Sequence, residues 1–378
     1  MIQLTWLQFR LQWLVAMLAL AAVAVVVGLT GVHLAHLYGT NVAPCLVQLQ
    51  ANGNVGSCGT TLTSFIHSQA LLQNVLRDAL LAAPALLGIF WGAPLVAQEL
   101  ERGTFRLVWT QSVSRRHWLA IKLGVVGLAC AAVVGLLSLM ITWWFNPIDR
   151  VNANVIYWQG PINLNLNRFD PSVFDLRGIV PVGYALFAFA LGVTAGLLVP
   201  RILPAMAITL PLFISGRFAV TWIRPHLIAP VRQSLPLVWG PGAGIAQGGT
   251  GTGFFVIAPT PKLPNAWIYS NVVVDQAGHA PTSQFLQSTC PALTVDLAGP
   301  AGNVGGGSVS TAAPGPGGPG EQQVHACASA IAARFHQVVT YQPADRYWAF
   351  QGLETAIFIA LALLLVWFCF WWIRHRMA

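Results

Sequence analysis

Charge is what this chain has least of. Only 8% of its 378 residues are Asp, Glu, Lys or Arg, and lysine occurs only as Lys122 and Lys262. Soluble domains carry about a quarter charged residues, so an ordinary water-exposed surface is excluded for most of the chain. Catalytic motifs are missing as well. There is no G-x-x-x-x-G-K-[ST] loop, so the chain has no Walker route to ATP hydrolysis. Gly248 to Gly253 (GGTGTG) has the glycines of a phosphate loop but no Lys-Ser/Thr after it. The six cysteines include no C-x-x-C spacing, which argues against a zinc site. No Ser/His/Asp or paired-carboxylate arrangement can be argued from spacing, and no internal repeat is present. His33 and His36 share a face near the end of an apolar run and read as interfacial histidines rather than metal ligands.

What is abundant is apolar. Hydrophobic residues make up 56% of the chain and the mean hydropathy is +0.65. Fifteen Trp and nineteen Phe suit a protein with many lipid interfaces, where aromatic rings favour the headgroup level. A bilayer-spanning helix needs about 20 apolar residues. Six stretches qualify: Gln12 to His36, Asp78 to Ala97, Trp118 to Phe145, Ile179 to Val199, Ile202 to Trp222 and Trp348 to Ile373. The first is too long for a signal peptide and lacks a small-x-small cleavage site at the right place, so it reads as a retained helix. The fold expected is an all-α membrane protein of six transmembrane helices.

The net charge of +8 would suggest nucleic acid in a soluble protein. Here it is read through topology, and no nucleic-acid partner is expected. With a cytoplasmic N-terminus, the inner segments hold nine basic residues (Arg10, Arg102, Arg106, Arg115, Arg116, Lys122, Arg201, Arg374, Arg376) against Glu99 and Glu101. That asymmetry predicts that both termini are cytoplasmic, in a multi-pass protein of the plasma membrane. Cysteine placement agrees. Cys45 and Cys58 fall in the loop after the first span, and Cys290 and Cys327 in the loop before the sixth, while Cys130 and Cys369 lie within spans. Two pairs in outer loops suit an oxidising exterior, with Cys45–Cys58 and Cys290–Cys327 the pairs within single loops. Four unpaired thiols are the alternative.

Three regions follow: 1–222 with five spans, 223–347 as an extracytoplasmic lobe, and 348–378 with the sixth span and a cytoplasmic tail. Residues 38–77 and 146–178 form smaller outer loops, the first with a helical tail near Thr61 to Leu76. Within the lobe, 298–321 is Gly/Pro/Ser-rich and reads as a flexible insertion, with too little apolar surface to offset its chain entropy. At the N-terminus, Leu4, Leu7, Leu11 and Leu14 recur at helical spacing among Gln3, Gln8, Arg10 and Gln12. That pattern predicts an interfacial amphipathic helix leading into the first span; a first span that simply starts early is the alternative. Arg217 and Glu354 stand at similar depth inside spans five and six, and could pair or snorkel separately. Pro204, Pro211, Gly192 and Gly196 suggest that spans four and five are bent and closely packed.

The densest charge is between spans two and three, where residues 97–118 read AQELERGTFRLVWTQSVSRRHW. Four segments together carry a resemblance: LTWLQFRLQ before the first span, GAPLVAQELERGTFRLVWTQSVSRRHWLAIKL after the second, FDLRGIVPVGYALFAFALGV into the fourth, and YQPADRYWAFQGLE into the sixth. They resemble the permease subunits of type-2 ABC exporters, particularly actinobacterial members. The resemblance spans the chain except the Gly/Pro insertion. It implies a subunit without its own ATPase motif, an inner-face amphipathic helix, and a loop after the second span that docks on a separate ATP-binding subunit. It also implies a second permease subunit, in a homo- or heterodimer, and a partner that binds the ATP and magnesium; this chain itself takes no cofactor or metal. In 98–117, Glu99, Glu101, Arg102, Arg106, Arg115 and Arg116 would offer charge-assisted contacts to the ATPase and Phe105 an apolar anchor, with Gly103 and Thr104 capping or bending the segment. A plain positive-inside loop is the alternative there. At the level of the whole protein, the alternative is a non-transport membrane protein such as a sensor or immunity factor.

Overall fold

The computed structural model describes residues 2–52, 58–68, 70–103, 115–154, 168–239, 243–247, 253–258, 261, 263–291, 309–311 and 321–376. Six helices are long and apolar enough to cross a membrane: Arg10–Gln48, Leu71–Glu101, Arg116–Trp144, Val180–Leu198, Ile202–His226 and Ala344–Arg376. They match the six expected spans: spans one, two, five and six extend further than their apolar cores because helix propensity and packing do not stop where hydropathy does, while spans three and four differ from expectation by one or two residues at their ends.

The chain forms two compact units. The first holds the six spans. Its centre is the fourth span, buried along nearly its whole length and packed against spans two, three, five and six, while the first span lies on the third. Leu87, Trp91 and Leu95 of span two, Leu119, Leu123 and Val126 of span three, Ala185, Phe189 and Val193 of span four, and Cys369 and Ile373 of span six make one core. Spans one and five instead expose apolar side chains such as Leu29, Val32, Leu203, Phe218 and Trp222.

Close approach of spans two and four is the tightest feature of this unit. The second span widens into a π-turn at Gly88–Gly92. Gly88 and Gly92 lie against the backbone of Ala188 and Phe189, and a Cβ on Gly192 would stand 2.2 Å from the Gly88 carbonyl oxygen. Gly196 likewise meets the Ala93 carbonyl. Spans four and five do pack together, but Gly192 and Gly196 serve the contact of span four with span two, where backbones touch as small-residue helix pairs in lipid do.

Residues Ile2–Leu37 form one unbroken helix, which contains both the segment expected to be interfacial and the first span. Residues 38–77 are more helical than expected: Tyr38–Val42 and Ala43–Asn52 continue the first helix, Gly59–His67 follows, and Ala70–Leu87 begins the second span. Cys45 and Cys58 stand at disulfide distance, with Cα atoms 5.6 Å apart.

The second unit comprises 152–167 and 230–344, and it corrects the all-α expectation. Strands β1 (Val231–Pro236), β4 (Trp267–Val274) and β6 (His336–Gln342) form an antiparallel sheet in the order β1-β6-β4; β2 (Gly244–Gln247), β3 (Phe254–Ile257) and β5 (Val309–Thr311) form another in the order β3-β2-β5. The strands were hard to see because β2, β3 and β5 are only four, four and three residues long. β5 pairs with β2 from inside the segment expected to be a loose insertion; the rest of 298–320 lies outside the described residues. Leu237, Ile245, Phe254, Val273, Leu286, Val324 and Ile331 pack around Cys290 and Cys327, whose Cα atoms are 5.2 Å apart.

Candidate functional site

The second span ends in a short helix, Ala93–Glu101, that is fixed on three sides. Its first face, Ala93 and Ala97, meets Ala195 and Ala205 in a cluster of small side chains. Small residues are needed there because the helix starts from the glycine contact with span four. Its second face carries Glu99, whose Oε1 accepts from Lys122 Nζ of span three. Both residues are buried, Glu99 7% and Lys122 2% exposed, and the ammonium also sits 4.8 Å from the Trp118 ring centroid. Trp118 and Lys122 are four residues apart, hence on one helix face. Its third tie is Glu101, whose Oε2 accepts from the Ile202 backbone N–H at 3.0 Å. That carboxylate caps the start of span five, satisfying one of the free amides there and favoured by the helix dipole.

The helix stops at Arg102 and Gly103. Gly103 has φ +69° and donates to the Leu100 carbonyl, the left-handed ending that glycine permits at low cost. Thr104, Phe105 and Arg106 lie outside the described residues, as does the side chain of Arg115. Arg102 and Arg116 are exposed. The expectation for Glu99 is corrected: it offers no surface to a partner protein, because a carboxylate this deep requires a compensating cation and Lys122 supplies it.

At the other end of the spans, two arginines converge on Asp175 and Glu354. Arg224 Nε donates to Glu354 Oε2 at 2.7 Å and Nη2 donates to Glu354 Oε1 at 2.9 Å, while Nη2 also pairs with Asp175 Oδ1. Arg217 Nη2 donates to Asp175 Oδ2 at 2.8 Å and Nη1 to the Leu81 carbonyl at 3.2 Å. The Tyr184 hydroxyl lies 3.1 Å from Asp175 Oδ1 and within hydrogen-bond reach of Glu354, and the Arg224 guanidinium stacks 4.2 Å from the Phe174 ring centroid. The direct Arg217–Glu354 pair considered from depth is thereby corrected. Both residues belong to one network, but Arg217 pairs with Asp175 and Glu354 with Arg224. Two cations and two carboxylates leave it neutral, as burial demands.

Gln351 extends this end. Its Oε1 accepts from the Ile179 and Val180 backbone amides at 3.0 and 3.1 Å, and its Nε2 donates to the Phe174 carbonyl at 3.2 Å. A side chain of span six therefore caps span four. Beside it Arg177 pairs with Asp149. Sequence reading missed Lys122, Asp149, Asp175, Arg177, Tyr184, Arg224 and Gln351. One signal was available: Lys122 lies four residues inside an apolar run, where an unpaired ammonium is costly. Asp175 and Arg224 sit just outside the apolar windows, where charge is ordinary.

Among the described residues no three metal-ligating side chains come together. What the geometry provides is mechanical: a short helix locked to three neighbouring spans, and a neutral charge cluster joining spans two, four, five and six at the far end. A family model described as ABC-2 membrane transporter related matches residues 16–224. No curated protein and no solved structure gives a significant match to the chain.

Proposed function

The chain belongs to the ABC-2 membrane transporter-related family, and from that premise we propose that it is the membrane-spanning permease subunit of an ABC exporter. It works as a homo- or heterodimer that encloses the translocation path. A separate ATP-binding subunit, which holds the ATP and magnesium, drives it. Both termini and the segment after span two face the cytoplasm of a plasma-membrane protein, and the segment 223–347 faces outward.

The observation that carries this reading is the triple anchoring of Ala93–Glu101. A motor moves a membrane path only through an element that cannot shift alone. Pushing on the Arg102–Arg116 stretch pushes this helix, which is tied to span three by Glu99–Lys122, to span five by Glu101 and Ile202, and to span four by backbone contact. The polar residues then divide by role. Arg102, Arg106 and Arg115, with Phe105, meet the ATPase; Glu99 and Glu101 pass the displacement inward. No observation favours a sensor or immunity factor.

Co-purification of the ATP-binding subunit and hydrolysis in reconstituted membranes test this. Arg102→Glu with Arg106→Glu should weaken ATPase association by roughly 30-fold, the scale of about 2 kcal/mol for a charged interface pair, with normal membrane insertion. Glu99→Gln should leave association intact and suppress coupled hydrolysis. Unchanged association and unchanged coupled hydrolysis in both variants would refute the reading.

A further inference from the structure

A second polar feature lies at the same end of the spans as Glu99 but on a different face. A cavity of about 600 Å³ opens between the start of span three and the end of span six. Its polar wall is Arg116 and His117 on span three and Arg374 and His375 on span six, and Trp367 and Trp371 line its other wall. No acidic residue lines it. Arg116 and Arg374 are exposed and form no ion pair among the described residues. The start of span three adds the positive end of a 30-residue helix, so three sources of positive potential face one space.

The bland reading of such residues is a positive helix end and an aromatic belt, each solvated separately. Three observations favour more. The cations converge from two helices rather than from one. The rings lie on the same stripe of span six, at 367, 371 and 374–375, so an apolar wall continues directly from the cationic one. Trp367 and Trp371 are 65% and 41% exposed, so this wall opens sideways, towards lipid, and not into the core. An amphiphile whose phosphate meets two guanidiniums and whose glycerol and upper acyl chains lie on indole rings satisfies both walls at once. A soluble anion satisfies only the first, and an acidic protein surface leaves the indole stripe unused.

The geometry points to a binding site for the phosphodiester headgroup of an anionic phospholipid. Arg116 and Arg374 hold the phosphate in charge-assisted contacts, while His375, whose Nδ1 faces the Trp371 carbonyl at 3.0 Å, keeps its Nε2 for the headgroup. Basic pockets between transmembrane helices take anionic headgroups by this chemistry. Such a lipid would join spans three and six at the end where Lys122 and the short helix are locked.

The full chain, purified in detergent and exchanged into phosphatidylcholine nanodiscs doped with phosphatidylglycerol, tests this by native mass spectrometry of retained lipid. Phosphatidylglycerol should be retained in preference to phosphatidylcholine. Each arginine should contribute about fivefold, so R116Q/R374Q should lose roughly 25-fold of the preference and R116K/R374K should keep most of it. The control R10Q/R201Q, which removes as much charge from exposed basic positions, should keep the preference whole. Equal retention of the two lipids overturns the proposal, and so does a preference that survives R116Q/R374Q or falls equally in the control. Displacement of the lipid by excess inorganic phosphate assigns the cavity to a free anion and overturns the lipid assignment. Loss of ATPase association in R116Q/R374Q with lipid preference unchanged assigns the cluster to the protein partner and also overturns it. The lipid measurement needs no ATPase, so it stands or falls separately from the permease reading.

Discussion

Replacing Arg224 with methionine should destabilise the membrane unit more than any other single change at the far charge cluster. The side chain is 1% exposed and lies between Asp175 and Glu354, 4% and 0% exposed. Methionine fills the aliphatic volume but strands a carboxylate. Asp175 keeps Arg217, whereas Glu354 is left with the Tyr184 hydroxyl. Removing one member of a buried ion pair costs about 3–5 kcal/mol, mostly the penalty of the charge left behind. If that is the cause, Glu354→Gln in the same chain should restore part of the loss, since the remaining Asp175–Arg217 pair is again neutral. Cys130 and Cys369 provide the assay, because their thiols are 0% and 1% exposed. A thiol-reactive dye followed during heating of the detergent-purified protein reports the opening of the helical core. Arg224→Met should react at clearly lower temperature than wild type, and Arg224→Met/Glu354→Gln should fall between the two. A single variant that melts with the wild type would refute the reasoning, and so would a double variant that melts below the single one.

Other outcomes follow from separate features. Gly192→Ala should lower the same melting temperature or prevent assembly, because its Cβ would stand 2.2 Å from a backbone oxygen of span two and overpacking costs about 1–3 kcal/mol; Gly124→Ala, with open space around it, is the control. Peptides from unreduced protein should show Cys45 linked to Cys58 and Cys290 to Cys327 by mass spectrometry, and each bridge should stabilise its loop by roughly 3–4 kcal/mol; a Cys45–Cys290 peptide would sink the local pairing. For sidedness, cysteines placed at Ser114 and Ser308, both outside the described residues, should react with a membrane-impermeant reagent in intact cells only at Ser308. Labelling of both, or only of Ser114, would overturn the orientation.

Much of this architecture is legible in the sequence because it depends on local properties. A run of some 20 apolar residues must cross the bilayer or be buried, whatever surrounds it, so all six spans could be read directly. Cys45 with Cys58 and Cys290 with Cys327 fall within single loops for the same reason. Gly103 is legible as a stop because a left-handed ending needs glycine wherever it occurs. Partnerships between spans are different, because they depend on how each helix is rotated about its axis, and one residue along a helix turns a side chain by about 100°. Depth alone put Arg217 beside Glu354, but the rotation of span five gives Arg217 to Asp175 and Arg224 to Glu354. Composition alone made Glu99 a surface anchor, but the approach of spans two and four turns it inward onto Lys122. That approach was itself undecided by sequence, since Gly192 and Gly196 allow close contact without choosing a partner; Gly88, Gly92 and Ala93 choose it by being small at matching heights. The strands of 230–344 also waited for the tertiary structure, because short strands acquire their hydrogen bonds only when distant segments such as β1 and β6 are brought together.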